Sequence, residues 1–151
     1  MSLDVLGWRE WVALPQLGIG RIKAKVDTGA RTSALHAFQV DVVETPEGSQ
    51  VNFLVHPIQG DHETVAECTA PLLEYRTVRD SGGHEEQRCV IETEVVIGGV
   101  AQQIEMTLTN RDNMGFRMLL GRTTLRGKYM VDPGRSWLAG KIADEGPSSG
   151  G

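Results

Sequence analysis

The sequence predicts an all-β fold: a small closed or nearly closed barrel of roughly eight to ten strands, with one short helix after Gly121. Three observations carry this. Of 151 residues, 18 are glycine and 6 proline, a turn-rich composition that suits many brief strands. The apolar stretches are short, and most alternate apolar with polar residues, the period of a half-buried strand. Only one segment, 117–127, abandons that alternation. A chain of this length is one domain with enough core to fold without disulfides. The domain is expected over 7–142, after an N-terminal extension over 1–6. The tail over 143–151 has almost no apolar content and is expected to be disordered.

Residues 7–13 carry Trp8 and Trp11 and break at Leu14-Pro15. Leu17-Gly18-Ile19-Gly20 is a turn into the next strand, where Ile22, Ala24 and Val26 point one way and Lys23 and Lys25 the other. That strand runs into Asp27-Thr28-Gly29, where glycine lets the backbone bend and threonine bonds locally. Residues 33–43 read as one continuous strand, 44–49 as a polar loop and 51–55 as the other arm of a hairpin. A loop over 57–63 precedes strand-like runs at 64–68 and 72–78, then the polar Gly-Gly segment 79–86. Residues 88–96 run out as a strand, Gly98-Gly99 turns tightly, and 101–109 return. In the exceptional segment, Met118-Leu119-Leu120 is a buried strand and Gly121 a bend. A short helix starts at Thr123 and stops at Gly127. A last strand over 129–131 precedes Asp132-Pro133-Gly134.

The net charge of −5 supplies no overall basic field for nucleic acid. No run reaches the length of a membrane span and no apolar signal segment follows the start, so a soluble, cytoplasmic protein is expected. The cations are 11 Arg and 4 Lys, and arginine suits bidentate carboxylate recognition. Cys68 and Cys89 lie in no Cys-x-x-Cys pair and are expected to be free, structural thiols. No phosphate-cradling Gly-x-x-x-x-Gly-Lys-Ser/Thr loop is present, so nothing here supports ATP binding.

Two stretches belong together: Val26-Asp27-Thr28-Gly29-Ala30 and Leu119-Leu120-Gly121-Arg122. The pair resembles the retropepsins, single-lobe aspartic peptidases in which two such segments cross to form the catalytic floor. More closely, the chain resembles the ATP-dependent zinc protease family, which has a retropepsin-like (acid protease) fold. Residues 23–37 are similar to that family's first signature and 108–122 to its second. The resemblance implies a peptide or protein substrate and a dyad of aspartates that share one proton, one acting as base and the other as acid. This chain has one strand-borne Asp-Thr-Gly, so the second aspartate is expected to be Asp27 of a second copy, across the two-fold axis of a homodimer. Asp27, Thr28 and Gly29 are then the catalytic residues. Ala30, Arg31 and Arg122 are expected to bind substrate, with Gly82 and Gly83 in a flap over the site. Asp80-Ser81-Gly82 imitates the motif but follows no buried strand, and Asp80 is expected to be a turn residue.

Viral retropepsins carry an acid where this chain has Arg31, so Arg31 and Arg122 are expected to leave cationic subsites, with Arg111 and Arg117 adding to them. An acidic, glutamate-rich peptide is the substrate this suggests. The zinc of the family's name finds no His-Glu-x-x-His motif. His62-Glu63 and His84-Glu85 lack a second histidine. A site from His36, His84 and Cys89 or a carboxylate is the one zinc set left open, and no cofactor is expected. Two alternatives to the aspartic peptidase stand beside it: a peptide-binding module without turnover, and a zinc-dependent peptidase.

Overall fold

The computed structural model describes residues 4–58, 63–79, 82–110 and 115–139. The tail over 143–151, Asp80, Ser81, His62 and Arg111 lie outside the described residues. Among those described, eleven strands and one short helix make up the regular structure, with a 3-10 turn at Pro15–Leu17. In chain order the strands are β1 (Asp4–Leu6), β2 (Arg9–Leu14), β3 (Ile19–Val26), β4 (Ser33–His36), β5 (Phe38–Thr45) and β6 (Gly48–Val55). There follow β7 (Ala66–Arg79), β8 (Glu85–Ile97), β9 (Val100–Thr109), β10 (Met118–Leu120), the helix α1 (Arg122–Leu125) and β11 (Tyr129–Val131). The fold is all-β with a short helix directly after Gly121, as the sequence predicts.

Nine strands form one sheet in the order β2-β3-β10-β4-β9-β8-β7-β6-β5, and β2 also meets β8 at Ala13 and Val96. That extra pairing curls the sheet into a ring of six strands, and β7, β6 and β5 continue outside it. Inward positions of the ring strands, among them Val12, Ile22, Ala24, Leu35, Met106 and Leu120, are fully buried in one cluster. They sit on the apolar side of each alternating run, so burial and register enforce each other. The hairpin at Gly98-Gly99 has positive φ at both glycines (59° and 85°), the type I′ pattern that matches strand twist.

Two elements differ from the sequence reading. Residues 33–43 are two strands, because the chain changes partners. β4 lies parallel to β9 and antiparallel to β10 inside the ring, whereas β5 pairs only with β6. The break comes at Ala37, and Gln39 takes a positive φ of 52° where the β5–β6 register shifts. Conversely, 66–68 and 72–78 belong to one strand, β7, with 64–65 before its start. Ala66–Pro71 pairs with β6 and Leu72–Arg79 with β8, so Pro71, which has no N–H, sits where the ladder passes from one neighbour to the next.

β1 and β11 form a separate two-stranded parallel ribbon in which Val5 lies beside Met130. Both are exposed, at 44% and 57%. The other end of the chain is tied back by Glu10. This fully buried carboxylate accepts hydrogen bonds from the N–H groups of Gly7 (2.6 Å), Leu138 (2.8 Å) and Ala139 (3.0 Å). No helix among the described residues is long and apolar enough to cross a membrane.

Candidate active site

Asp27 stands just past the end of β3, whose apolar side anchors it to the core through Ala24 and Val26. β10 runs parallel to β3, pairing Leu120 with Val26, and the Asp27 N–H continues that ladder by donating to the Leu120 carbonyl at 2.9 Å. The residue is half-buried, and at its exposed carboxylate Oδ1 accepts from the Gly29 N–H at 2.9 Å, a local Asx-type turn. Ala30 N–H closes back on the Asp27 carbonyl at 3.2 Å. Thr28 and Gly29 project outward, exposed.

The second segment locks onto the first. The N–H groups that open α1 donate to the turn's carbonyls, Arg122 to Ala30 (2.8 Å) and Thr123 to Arg31 (2.9 Å). The Arg122 guanidinium donates to the Thr28 carbonyl at 3.1 Å. Gly121 is the crossing point. A Cβ there would lie 2.6 Å from the Thr32 carbonyl carbon and 2.9 Å from the Ser33 nitrogen, closer than atoms can pack. Beneath the crossing, Ser33 Oγ accepts from the Gly121 N–H (3.0 Å) and shares a hydrogen bond with Thr124 Oγ1 (2.7 Å), both side chains fully buried. Sequence reasoning missed Ser33 and Thr124. A signal was there: both are small hydroxyl residues standing next to the crossing motifs.

The structure therefore brings Asp27, Thr28, Gly29, Ala30, Arg31 and Arg122 into one loop cluster. Gly82 and Gly83 belong to the outer end of the β7–β8 hairpin, beyond the paired residues Arg79 and Glu85, which also form an ion pair. Gly83 takes a φ of 87°, a conformation that suits glycine at a tip. The shank of this hairpin reaches the Asp27 loop: Arg76 donates to Thr32 Oγ1 at 3.4 Å while paired with Glu74 and Glu105. Arg117 contributes its carbonyl to the His36 N–H, and its Nε is buried without a partner among the described residues.

The zinc set does not assemble. Among the described residues no three His, Cys, Asp or Glu side chains come together as a metal site. His36 is buried on β4, His84 is exposed beyond the hairpin tip and Cys89 sits half-buried on β8 opposite Tyr75. Burial also pushes the Cys89 thiol pKa up, away from the thiolate that zinc needs. These residues do not fit a zinc ion.

Comparison with known proteins agrees with this geometry. The profile of the RimB-like family, described as the retropepsin-like aspartic endopeptidase RimB, matches residues 5–142. The chain belongs to this family. Segments similar to this chain also occur within longer proteins. A Shewanella pealeana protein named a probable alpha-L-glutamate ligase is 41% identical over 140 residues, covering 93% of this chain and 31% of its own length. A Parasynechococcus marenigrum protein of the same name is 45% identical over 141 residues, again 93% of this chain and 30% of its own. The chain thus spans about a third of the length of the curated relatives it matches. The crystal structure of a Legionella pneumophila protein of unknown function superposes with a TM-score of 0.77 over 92% of this chain and 100% of its own, at 23% identity. That likeness shows the shared fold.

Proposed function

We propose that this RimB-like chain is an aspartic endopeptidase that acts as a homodimer, with Asp27 of each copy sharing a water and a proton. The observation that carries the reading is the interlock at Gly121. It fixes Asp27 at a strand end with its carboxylate accessible and Thr28 and Gly29 exposed, as an approach by a second copy requires. Two carboxylates brought that close cannot both ionise, so one takes a proton from water while the other protonates the scissile carbonyl. Their titration belongs to the pair. Thr28 would meet its counterpart across the two-fold axis, and Arg122, bonded to the Thr28 carbonyl, keeps that turn in place. Gly82 and Gly83 would cover bound peptide from the hairpin tip. Arg31 and Arg122, both exposed, favour a substrate rich in glutamate. The name of the relatives, a ligase for glutamate, supports the same substrate class.

The test is digestion of a mixed peptide library and of oligoglutamate by wild type and Asp27→Asn, from about pH 3 to 8, with and without chelator. Cleavage that vanishes in Asp27→Asn and ignores the chelator supports the reading; cleavage that survives the substitution and dies with chelator overturns it. The relatives' ligase name favours one second reading, in which the domain holds a glutamate-bearing peptide without cutting it. Binding with no turnover under any of these conditions would select it.

A further inference from the structure

We infer that the outward face of β2 and β3 is a docking surface for an extended acidic polypeptide. The face carries Arg9 and Trp11 from β2 and Arg21, Lys23 and Lys25 from β3, with Arg9 directly opposite Lys25 and Trp11 opposite Lys23. The segment after β11 runs along the free side of β2, held by Trp8 N–H to the Arg135 carbonyl (2.8 Å) and Trp137 N–H to the Arg9 carbonyl (3.1 Å). It adds Trp137 to the face.

Three of these cations, Arg9, Arg21 and Lys23, lie against rings, and Arg9 also donates to Ser136 Oγ at 3.1 Å. The Arg9 guanidinium lies 4.6 Å from the Trp8 ring centre and 4.9 Å from that of Trp137. Arg21 covers Trp11 at 4.2 Å, and the Lys23 ammonium lies 5.4 Å from Trp11 and 6.0 Å from Trp137. Among the described residues no ion pair joins Arg9, Lys23 or Lys25 to a carboxylate, although the chain has 20 acids to 15 Lys and Arg. Arg76, Arg79 and Arg88, on the hairpin, are each paired with glutamate. The difference is physical. A carboxylate partner cancels a cation's charge, whereas a ring fixes the cation and leaves its charge outward. Like charges directly opposite on neighbouring strands destabilise a sheet, and Arg9 stands opposite Lys25 with no carboxylate paired to either among the described residues.

An acidic strand offsets it. Lys23 and Lys25 repeat every second residue, about 6.7 Å, which is the spacing of carboxylates along one side of an extended peptide. Single-stranded nucleic acid fits less well, because it needs open aromatic faces for its bases. Trp11 and Trp137 are instead stacked on each other at 5.5 Å and overlaid by cations. The stripe ends two residues short of Asp27, so a peptide lying along β3 leads into the catalytic turn; this last step rests on the peptidase reading.

The experiment uses the full chain carrying Asp27→Asn, so that probe is not consumed, and reads the anisotropy of fluorescein-labelled oligoglutamate at low salt. Lys23→Ala/Lys25→Ala in that background should weaken binding about tenfold, with a melting temperature no lower than the parent's, since removing Lys25 relieves its repulsion of Arg9. The same charge loss made elsewhere, Arg126→Ala/Lys128→Ala, should leave affinity near the parent's. Equal affinity in parent and Lys23→Ala/Lys25→Ala, or oligouridylate binding as tightly as oligoglutamate, overturns the proposal. Cleavage of the mixed peptide library and of oligoglutamate by the chain with Asp27 intact is scored separately. If that chain cuts while the double variant binds normally, the docking surface alone fails. If binding follows the lysines and nothing is ever cut, the surface stands and the peptidase reading fails.

Discussion

Glu10 is a buried carboxylate with no cationic partner among the described residues, and its charge is met instead by three backbone N–H groups. These donors come from both ends of the described chain, so one side chain staples the entry of β2 to the segment that carries Trp137. Glu10→Ala leaves three donors facing a void and is expected to cost about 2–4 kcal/mol in urea unfolding. Glu10→Gln keeps one acceptor oxygen and should lose less. The residue was open to inference, since Glu10 shares parity with Val12 and Leu14 on β2, while Arg9 and Trp11 point outward. Alternation gives the direction of a side chain. It does not reveal that a glutamate placed inward will find backbone donors far along the chain. Cys68 belongs to the same scale. Burial raises its thiol pKa from 9.0 to about 11, so the neutral form dominates at neutral pH, as a structural cysteine requires. At pH 8 its thiolate fraction is about a hundredfold below that of an unburied thiol, and iodoacetamide labelling of the native protein should be slower by a comparable factor. The folded pKa lies above the unfolded one. The associated stability is therefore present below about pH 9 and is lost as pH rises toward about 11.

At the scale of elements, the junction of β3, β10 and α1 decides whether a site exists. Gly121→Ala would force a Cβ to within 2.6 Å of the Thr32 backbone, and neither loop can yield without giving up the bonds from Arg122 and Thr123 to Ala30 and Arg31. We expect a loss of about 2–3 kcal/mol or more in unfolding experiments. On the proposed peptidase reading, the fall in activity should exceed what the unfolded fraction explains, because Asp27 is displaced in molecules that remain folded. Ser33→Ala removes the acceptor for the Gly121 N–H and the partner of Thr124, and should show a milder form of the same behaviour. This junction was legible because both halves are written locally: an alternating strand ending in Asp-Thr-Gly, and an apolar run ending in Gly-Arg. The Gly98-Gly99 hairpin was legible for the same reason. The break at Ala37 and the continuity through Pro71 were not, because each is set by which strand lies alongside. A change of neighbour leaves the two-residue period of the sequence untouched. The cationic face was legible only in part. Lys23 and Lys25 stand out as the polar side of β3, but Arg9 and Trp137 join them only through strand pairing and the return of the chain.

At the scale of the whole molecule, the proposed chemistry asks for two copies, and we expect them to meet at the β1–β11 ribbon. Val5 and Met130 lie side by side and exposed, an apolar pair on a sheet of two strands, and the edge of so short a ribbon is where an added strand can pair. Met130→Glu should shift sedimentation toward the monomer and reduce activity steeply on dilution, while Asp27→Asn should leave the dimer intact. The two substitutions together allow a stricter test. If each active site needs Asp27 from both copies, wild type mixed and equilibrated with Asp27→Asn forms dimers at random. Activity then follows the square of the wild-type fraction, so an equal mixture at fixed total protein retains about a quarter of the activity. A site built within one chain would retain about half. Adding Met130→Glu to the Asp27→Asn partner should remove its inhibitory effect, because a copy that cannot pair cannot spoil a dyad. Half-activity in the equal mixture, or inhibition that persists with Met130→Glu, would disprove the shared dyad and the ribbon interface respectively.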